Sequence, residues 1–257
     1  RKNRRYAVNC GQSYGEWAEP NDVCAFHWYD FAAPHPEEST AYTHFTLKRV
    51  LEVAEILGKA PDKRLERIRE YSEGARRAYR ELVTKPGFSL DTDRQAKLVR
   101  PLYMGLLNVE QTAYAKERLL SAMEHYGWRL GTGFLSTPMI LYVLGDLGIE
   151  YAYRLLENEQ MPGWLFMPKS GATTVWESWE GNATPDKGIA SLNHYSKGAV
   201  CEWIFSVMCG ISVAGENRFE IAPRAGGTVT QASLSYRSVY GEVSCAWEKR
   251  GGRMVYT

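Results

Sequence analysis

The residues best suited to chemistry lie in the loop at 168–195, which reads Pro-Lys-Ser-Gly-Ala-Thr-Thr-Val-Trp-Glu-Ser-Trp-Glu-Gly and, after a polar stretch, Ser-Leu-Asn-His-Tyr. Glu177 lies between Trp176 and Trp179. A carboxylate held between indoles is partly desolvated, which disfavours its charged form and suits it to proton transfer. The same spacing also fits an ordinary loop glutamate with its oxygens in water, and Glu180 competes on the same grounds. His194 is expected just inside a helix, whose first amide groups are free to bind a polar ligand. Asn193 before it fits either a helix N-cap or a ligand contact. Thr173 and Thr174 either orient Glu177 by hydrogen bonds or are simply β-branched residues of an extended segment.

A second long loop, residues 8–36, contains Tyr14-Gly15-Glu16-Trp17, in which a flexible glycine precedes a carboxylate and an indole. That combination suits a platform on which a sugar face can stack. Trp28, Tyr29 and Asp30 form a similar aromatic and acidic cluster, which reads more readily as packing. Gly131-Thr132-Gly133-Phe134 resembles a phosphate loop only in its glycines, since no strand precedes it and no Gly-Lys-Ser/Thr follows. A tight turn opening the next helix explains it better. A phosphate-using reaction would have only Lys169 and Lys187 to draw on in the long loop.

These loops need a scaffold, and the apolar spacing supplies one. From Glu37 to Arg80 apolar residues recur at helical intervals, and Gly58 to Pro61 separates two helices, with Gly ending one and Pro-Asp beginning the next. Further helices are expected near 95–107, 109–126, 134–147, 148–159 and 193–209, divided by Gly, Pro or Asn. The chain is thus mainly α, a series of paired antiparallel helices. No fixed repeat of about 34 residues marks a peptide-binding solenoid. After Gly210 the pattern changes, and residues 217–257 alternate apolar and polar positions around turn signals, as short antiparallel strands do. The last of them opens at Met254, leaving too few partners for a whole sandwich. Truncation is expected at this end, and also at the start, where no initiator Met stands.

Composition narrows the classes of function. Of 257 residues 44% are apolar and 24% charged, as in a folded protein with a sizeable core. The formal net charge is +1, with both signs interspersed, so no basic face offers the phosphate-neutralising patch that nucleic acids require. A neutral ligand fits better, and eight Trp and sixteen Tyr supply rings that stack on sugars, although core packing is their commoner use. Cys10, Cys24, Cys201, Cys209 and Cys245 have no metal-binding spacing and read as reduced thiols, mostly buried. No metal or cofactor is expected. No apolar run is long enough to span a bilayer, and Arg1 to Arg5 is not followed by a signal-peptide core. Targeting cannot be read from this N-terminus, and the cytoplasm is the favoured compartment.

Taken together these stretches resemble the catalytic domain of glycoside hydrolase family 78, the bacterial α-L-rhamnosidases. The matching segments are Tyr14 to Trp17, Gly131 to Leu135, Pro162-Gly163-Trp164, Gly171 to Glu177, Ser191 to Tyr195 and Gly198 to Trp203. Phe219 to Arg224, Ser238 to Gly241 and Trp247-Glu248 are similar to that family's trailing β-domain. The resemblance implies an incomplete (α/α)6 toroid over residues 1–211 and the start of a β-sandwich over 212–257. It implies inverting hydrolysis of terminal α-L-rhamnose, with Glu177 as general base, His194 on the sugar and Trp17 lining its pocket. Glu16, Trp176 and Asn193 are the remaining expected substrate contacts.

Inversion needs a second carboxyl group, roughly 6.5–9.5 Å from the first, to protonate the leaving oxygen. The family carries that acid in an Asp-Glu-Arg stretch upstream of the position where this sequence begins, and Glu16 stands where the family usually has Asp. Residues 1–257 alone are therefore expected to fold without hydrolysing a glycoside. An opened ring also exposes apolar helix faces and invites self-association. The other class of function compatible with the sequence is a non-catalytic sugar-binding module that keeps Trp17, Trp176 and His194 without a working acid and base.

Overall fold

The structure is a computed structural model and describes residues 6–9, 13–24, 33–181 and 191–257. Trp28, Tyr29, Asp30, Cys10 and Lys187 lie outside the described residues. The chain divides into two compact units, residues 1–127 with 131–139, and residues 128–130 with 140–257.

The first unit is built from two helical hairpins. Helix α1 (Pro36–Ile56) packs along α2 (Lys63–Leu82), and α3 (Gln95–Met104) along α4 (Val109–His125). Gly58 takes the left-handed conformation just past α1, and the Asp62 carboxylate caps α2 by accepting from the Arg64 and Leu65 amides at 2.8 Å. Asn108 and Gln111 form a reciprocal capping box on α4. The α3 helix was expected to reach 107 but ends at Met104, because Gly105 adopts φ +67° and turns the chain. Between the hairpins the core is made of small and aliphatic side chains, among them Ala41, Ala75, Leu98, Val99, Ala115 and Leu119.

Helix α5 (Thr137–Leu147) begins in the first unit and continues into the second, where α6 (Ile149–Leu156) follows it after Gly148. The loop expected at 160–192 contains a further short helix, α7 (Phe166–Lys169). The helix expected over 193–209 is shorter and irregular. It opens as a 3-10 turn at Ser196–Ala199, is α-helical over α8 (Val200–Trp203), and widens to π geometry over Ile204–Met208. His194 therefore precedes the helix instead of lying within it, and Asn193 does not cap it, since Tyr195 occupies that position.

The remaining residues form two antiparallel sheets. One is a hairpin of β1 (Ile211–Gly215) and β2 (Arg218–Ile221), and the other has the order β3 (Gln231–Ser238), β4 (Gly241–Arg250), β5 (Arg253–Tyr256). Strand β1 was not anticipated from the alternation that begins at 217. Its pairing of Ile211 with Ile221 depends on Asn217 entering the left-handed region, which Asn tolerates better than most residues. Trp247 is buried, and its Nε1 donates to the Met208 carbonyl at 2.7 Å, joining β4 to the irregular helix. Tyr153 Oη donates to the Arg224 carbonyl at 2.7 Å and Arg224 Nη2 to the Gly145 carbonyl at 2.9 Å, so the strands are also tied to α5 and α6. Cys209 and Cys245 are buried, but Cys24 is half-buried and Cys201 exposed, so burial of the thiols is less general than expected. Among the described residues no helix is long and apolar enough to cross a membrane, and no cluster of His, Cys, Asp or Glu could hold a metal ion.

Candidate functional site

In the second unit, the segments 174–177 and 191–194 run side by side. The Glu177 amide donates to the Ser191 carbonyl at 2.9 Å, and the His194 amide to the Val175 carbonyl at 2.7 Å. Across this pairing the Ser191 amide donates to Glu177 Oε2 at 2.9 Å. Thr174 orients the segment by donating its hydroxyl to the Leu192 carbonyl, not to Glu177. The structure thus brings the chain around Glu177 next to the chain around His194, and leaves Glu177 half-buried. Ser191 Oγ donates to the Asn193 carbonyl at 3.0 Å and accepts from the Asn193 amide at 3.1 Å, so the backbone of Asn193 shapes the turn while its side chain is exposed.

The half-buried His194 ring stacks on Tyr195 with centroids 5.3 Å apart and an interplanar angle of 9°. Its Nδ1 accepts from the Ser196 amide at 3.3 Å, which makes Nε2 the protonated nitrogen of the neutral ring and hence a donor. Trp176 and Trp179 on either side of Glu177 are both buried. Trp176 meets Phe166 edge-on, and Gly181 is pressed against it so closely that a Cβ there would fall 2.0 Å from the indole. With only 3% of its surface exposed, Trp176 supports the loop from within and offers no open stacking face. Trp179 lies under the fully buried Lys197, whose Nζ is 3.8 Å from the ring centroid, and Trp164 Nε1 donates to the Lys197 carbonyl at 3.0 Å. Glu180 is buried as well. Lys197 was not singled out from the sequence, where one lysine beyond the His motif carries no distinguishing signal. Lys169 is paired with Glu159.

In the first unit, Tyr14-Gly15-Glu16-Trp17 forms a tightly held turn. Glu16 is 6% exposed and both its oxygens are engaged. Oε1 accepts from the Gly133 and Ser136 amides at 3.0 and 2.7 Å, while Oε2 accepts from Ser136 Oγ at 2.8 Å and Arg100 Nη2 at 2.5 Å. A carboxylate saturated in this way anchors its own turn. The next residue gains from it, because the Trp17 carbonyl accepts from the Phe134 amide at 2.8 Å and its half-buried indole meets the exposed Tyr14 ring edge-on. Gly133 permits this approach, since a Cβ there would fall 2.3 Å from the Trp17 carbonyl oxygen. The sequence read Gly131 to Phe134 as a tight turn before a helix, and it is in addition the docking surface for Glu16.

Arg100 centres a buried charge cluster that the sequence did not reveal. Its Nη1 is 3.2 Å from Glu37 and its Nη2 3.6 Å from Glu38, besides the contact with Glu16. Glu37 also accepts from Tyr79 Oη at 3.2 Å and lies 3.6 Å from Lys97. Burial pushes the Glu37 carboxyl above its ordinary range despite Arg100, whereas for Glu38 burial, the largest single influence, is outweighed by Arg100, a backbone hydrogen bond and Arg94 acting together, which hold the carboxyl below it. Glu19, which Arg94 Nε contacts at 2.8 and 3.0 Å, is pushed up to about 7 by burial. The only sequence signal was an arginine among Leu98, Val99 and Pro101 on an otherwise apolar stretch.

Residues 1–208 match the bacterial alpha-L-rhamnosidase 6 hairpin glycosidase domain, and residues 212–257 the bacterial alpha-L-rhamnosidase C-terminal domain. The chain belongs to this family. An alpha-L-rhamnosidase of Streptomyces avermitilis is 33% identical over 254 residues, 95% of this chain and 23% of the relative. One from Formosa agariphila is 32% identical over 244 residues, 92% of this chain and 26% of the relative. The chain therefore spans about a quarter of these rhamnosidases. The Streptomyces avermitilis alpha-L-rhamnosidase solved with L-rhamnose superposes with a TM-score of 0.81 at 30% identity, covering 99% of this chain and 24% of that one. The enzyme from Dictyoglumus thermophilum gives 0.80 at 25% identity, covering 96% and 27%. The helical hairpins are thus those of a rhamnosidase six-hairpin domain and the trailing antiparallel strands match the family's C-terminal domain, in agreement with the resemblance read from the sequence.

Proposed function

We propose that the protein bearing this chain hydrolyses terminal α-L-rhamnosides with inversion, Glu177 acting as the general base. The observation that supports this most is the Glu177 carboxylate, half-buried and fixed by the Ser191 amide on a loop strand paired with that of His194, in a chain of the rhamnosidase family. In this reading Glu177 takes a proton from water as the water oxygen attacks the anomeric carbon, and the bond to the aglycone oxygen breaks. His194 donates from Nε2 to a sugar hydroxyl, Trp17 stacks on the ring, and Asn193 contributes its exposed amide. Glu16 and Trp176 serve as supports for these groups. The acid that protonates the leaving oxygen belongs to residues outside 1–257. The same reading assigns residues 1–211 to the catalytic domain and 212–257 to the C-terminal domain.

The test is Glu177→Gln in the full-length enzyme, since an amide cannot accept the proton. Turnover of a nitrophenyl α-L-rhamnoside should fall by at least the roughly 10²–10⁴-fold that a positioned acid or base supplies, with folding unchanged. Near-normal turnover refutes the role of Glu177. Proton NMR of the first-formed sugar should show the β-anomer, and initial release of the α-anomer would exclude inversion.

A further inference from the structure

A base on one strand of a loop and a sugar contact on the other serve one substrate only while the two strands keep their register. Here the backbone contributes two hydrogen bonds to that register, from the Glu177 amide to Ser191 and from the His194 amide to Val175. One more, from the Ser191 amide to Glu177 Oε2, aims the carboxylate. A further link is made by a side chain, the Thr174 hydroxyl on the Leu192 carbonyl, at the end of the pairing where Asn193 and His194 follow. Thr174 is exposed, so its side chain contributes little to any core, and nothing in the fold of α7 or α8 requires a hydroxyl there.

We propose that Thr174 is a positioning residue, whose hydroxyl clamps the 191–194 strand so that the Ser191 amide stays on Glu177 and His194 stays opposite. This rests on the assignment of Glu177 and His194 above. Without the clamp the Leu192 carbonyl turns to water at small cost, and the adjoining Ser191 amide moves off Oε2. A displacement of about 1 Å at a reacting group is enough to cost up to about 10²-fold in rate.

The experiment compares Thr174→Val, which keeps the shape and β-branching, with Thr174→Ser, which keeps the hydroxyl, in the full-length protein on a nitrophenyl α-L-rhamnoside. Thr174→Val should lower kcat about 10- to 100-fold and change KM less than kcat, with the melting temperature unchanged. Thr174→Ser should restore most of kcat. Wild-type kcat in Thr174→Val overturns the proposal, as does equal impairment of the Val and Ser variants, or a rise in KM as large as the fall in kcat. Glu177→Gln is assayed alongside. If it retains turnover the catalytic assignment and the proposal fall together, whereas an inactive Glu177→Gln beside an unimpaired Thr174→Val sinks the clamp alone.

Discussion

Replacing Arg100 by Met tests whether the buried charge cluster is what holds the Trp17 turn in place. The guanidinium is fully buried and lies 2.5, 3.2 and 3.6 Å from the carboxylates of Glu16, Glu37 and Glu38. At an effective dielectric of about 20, unit charges roughly 3–4 Å apart attract by about 4–5 kcal/mol, and desolvation of all partners offsets most of that gross sum. Removing the cation leaves the desolvation in place and the attraction gone. The expected loss is thus the about 3–5 kcal/mol typical of breaking a buried pair on one side. Urea titration at pH 7 with linear extrapolation measures it. The penalty should shrink at pH 5. Carboxylates stripped of their cation have folded-state values above their unfolded ones, so the folded chain takes up protons on acidification and regains stability. Adding Glu16→Gln to the Arg100→Met variant should recover part of the loss, because Gln keeps an acceptor for the Gly133 and Ser136 amides without the charge. A loss no larger than the about 1 kcal/mol of an exposed pair, equal at both pH values, would refute the reasoning.

Two further outcomes follow from the same region. Glu19→Gln removes a carboxyl whose folded-state value is pushed up to about 7 by burial. The wild type should therefore gain on this variant as pH falls from 7 towards 4.5, by at most about 3 kcal/mol, and a difference that grows with rising pH would contradict it. Gly133→Ala places a Cβ 2.3 Å from the Trp17 carbonyl oxygen and 2.8 Å from that of Glu16, both backbone atoms that cannot swing aside. It should cost about 1–3 kcal/mol by overpacking and, on the role proposed for Trp17, raise KM for rhamnosides. Unchanged stability in the same denaturation assay would show that the turn has room to spare.

The sequence by itself determined the helical hairpins and most of their limits, because those depend on neighbours along the chain. Gly58 and Asp62 stop one helix and start the next, Asn108 and Gln111 close a capping box, and the alternation of β3 with β4 follows from turn residues within reach. The Ala-Thr-Thr-Val-Trp-Glu and Asn-His-Tyr segments were also legible, as patterns too specific for an arbitrary loop. What the sequence could not decide is which polar groups meet across long separations. Glu16 reads as a carboxylate on a sugar platform until Arg100, 84 residues away, and Ser136, 120 residues away, are found on its oxygens. Trp176 reads as a substrate contact, and only the structure shows that its ring is buried with Gly181 closed against it. His194 reads as helical until its amide is found on the Val175 carbonyl, where it prolongs the loop pairing and delays the helix to Ser196. In each case the sequence supplied the chemical group, and the tertiary structure chose its partner, since a buried polar atom must be satisfied by whatever the fold brings within hydrogen-bonding distance.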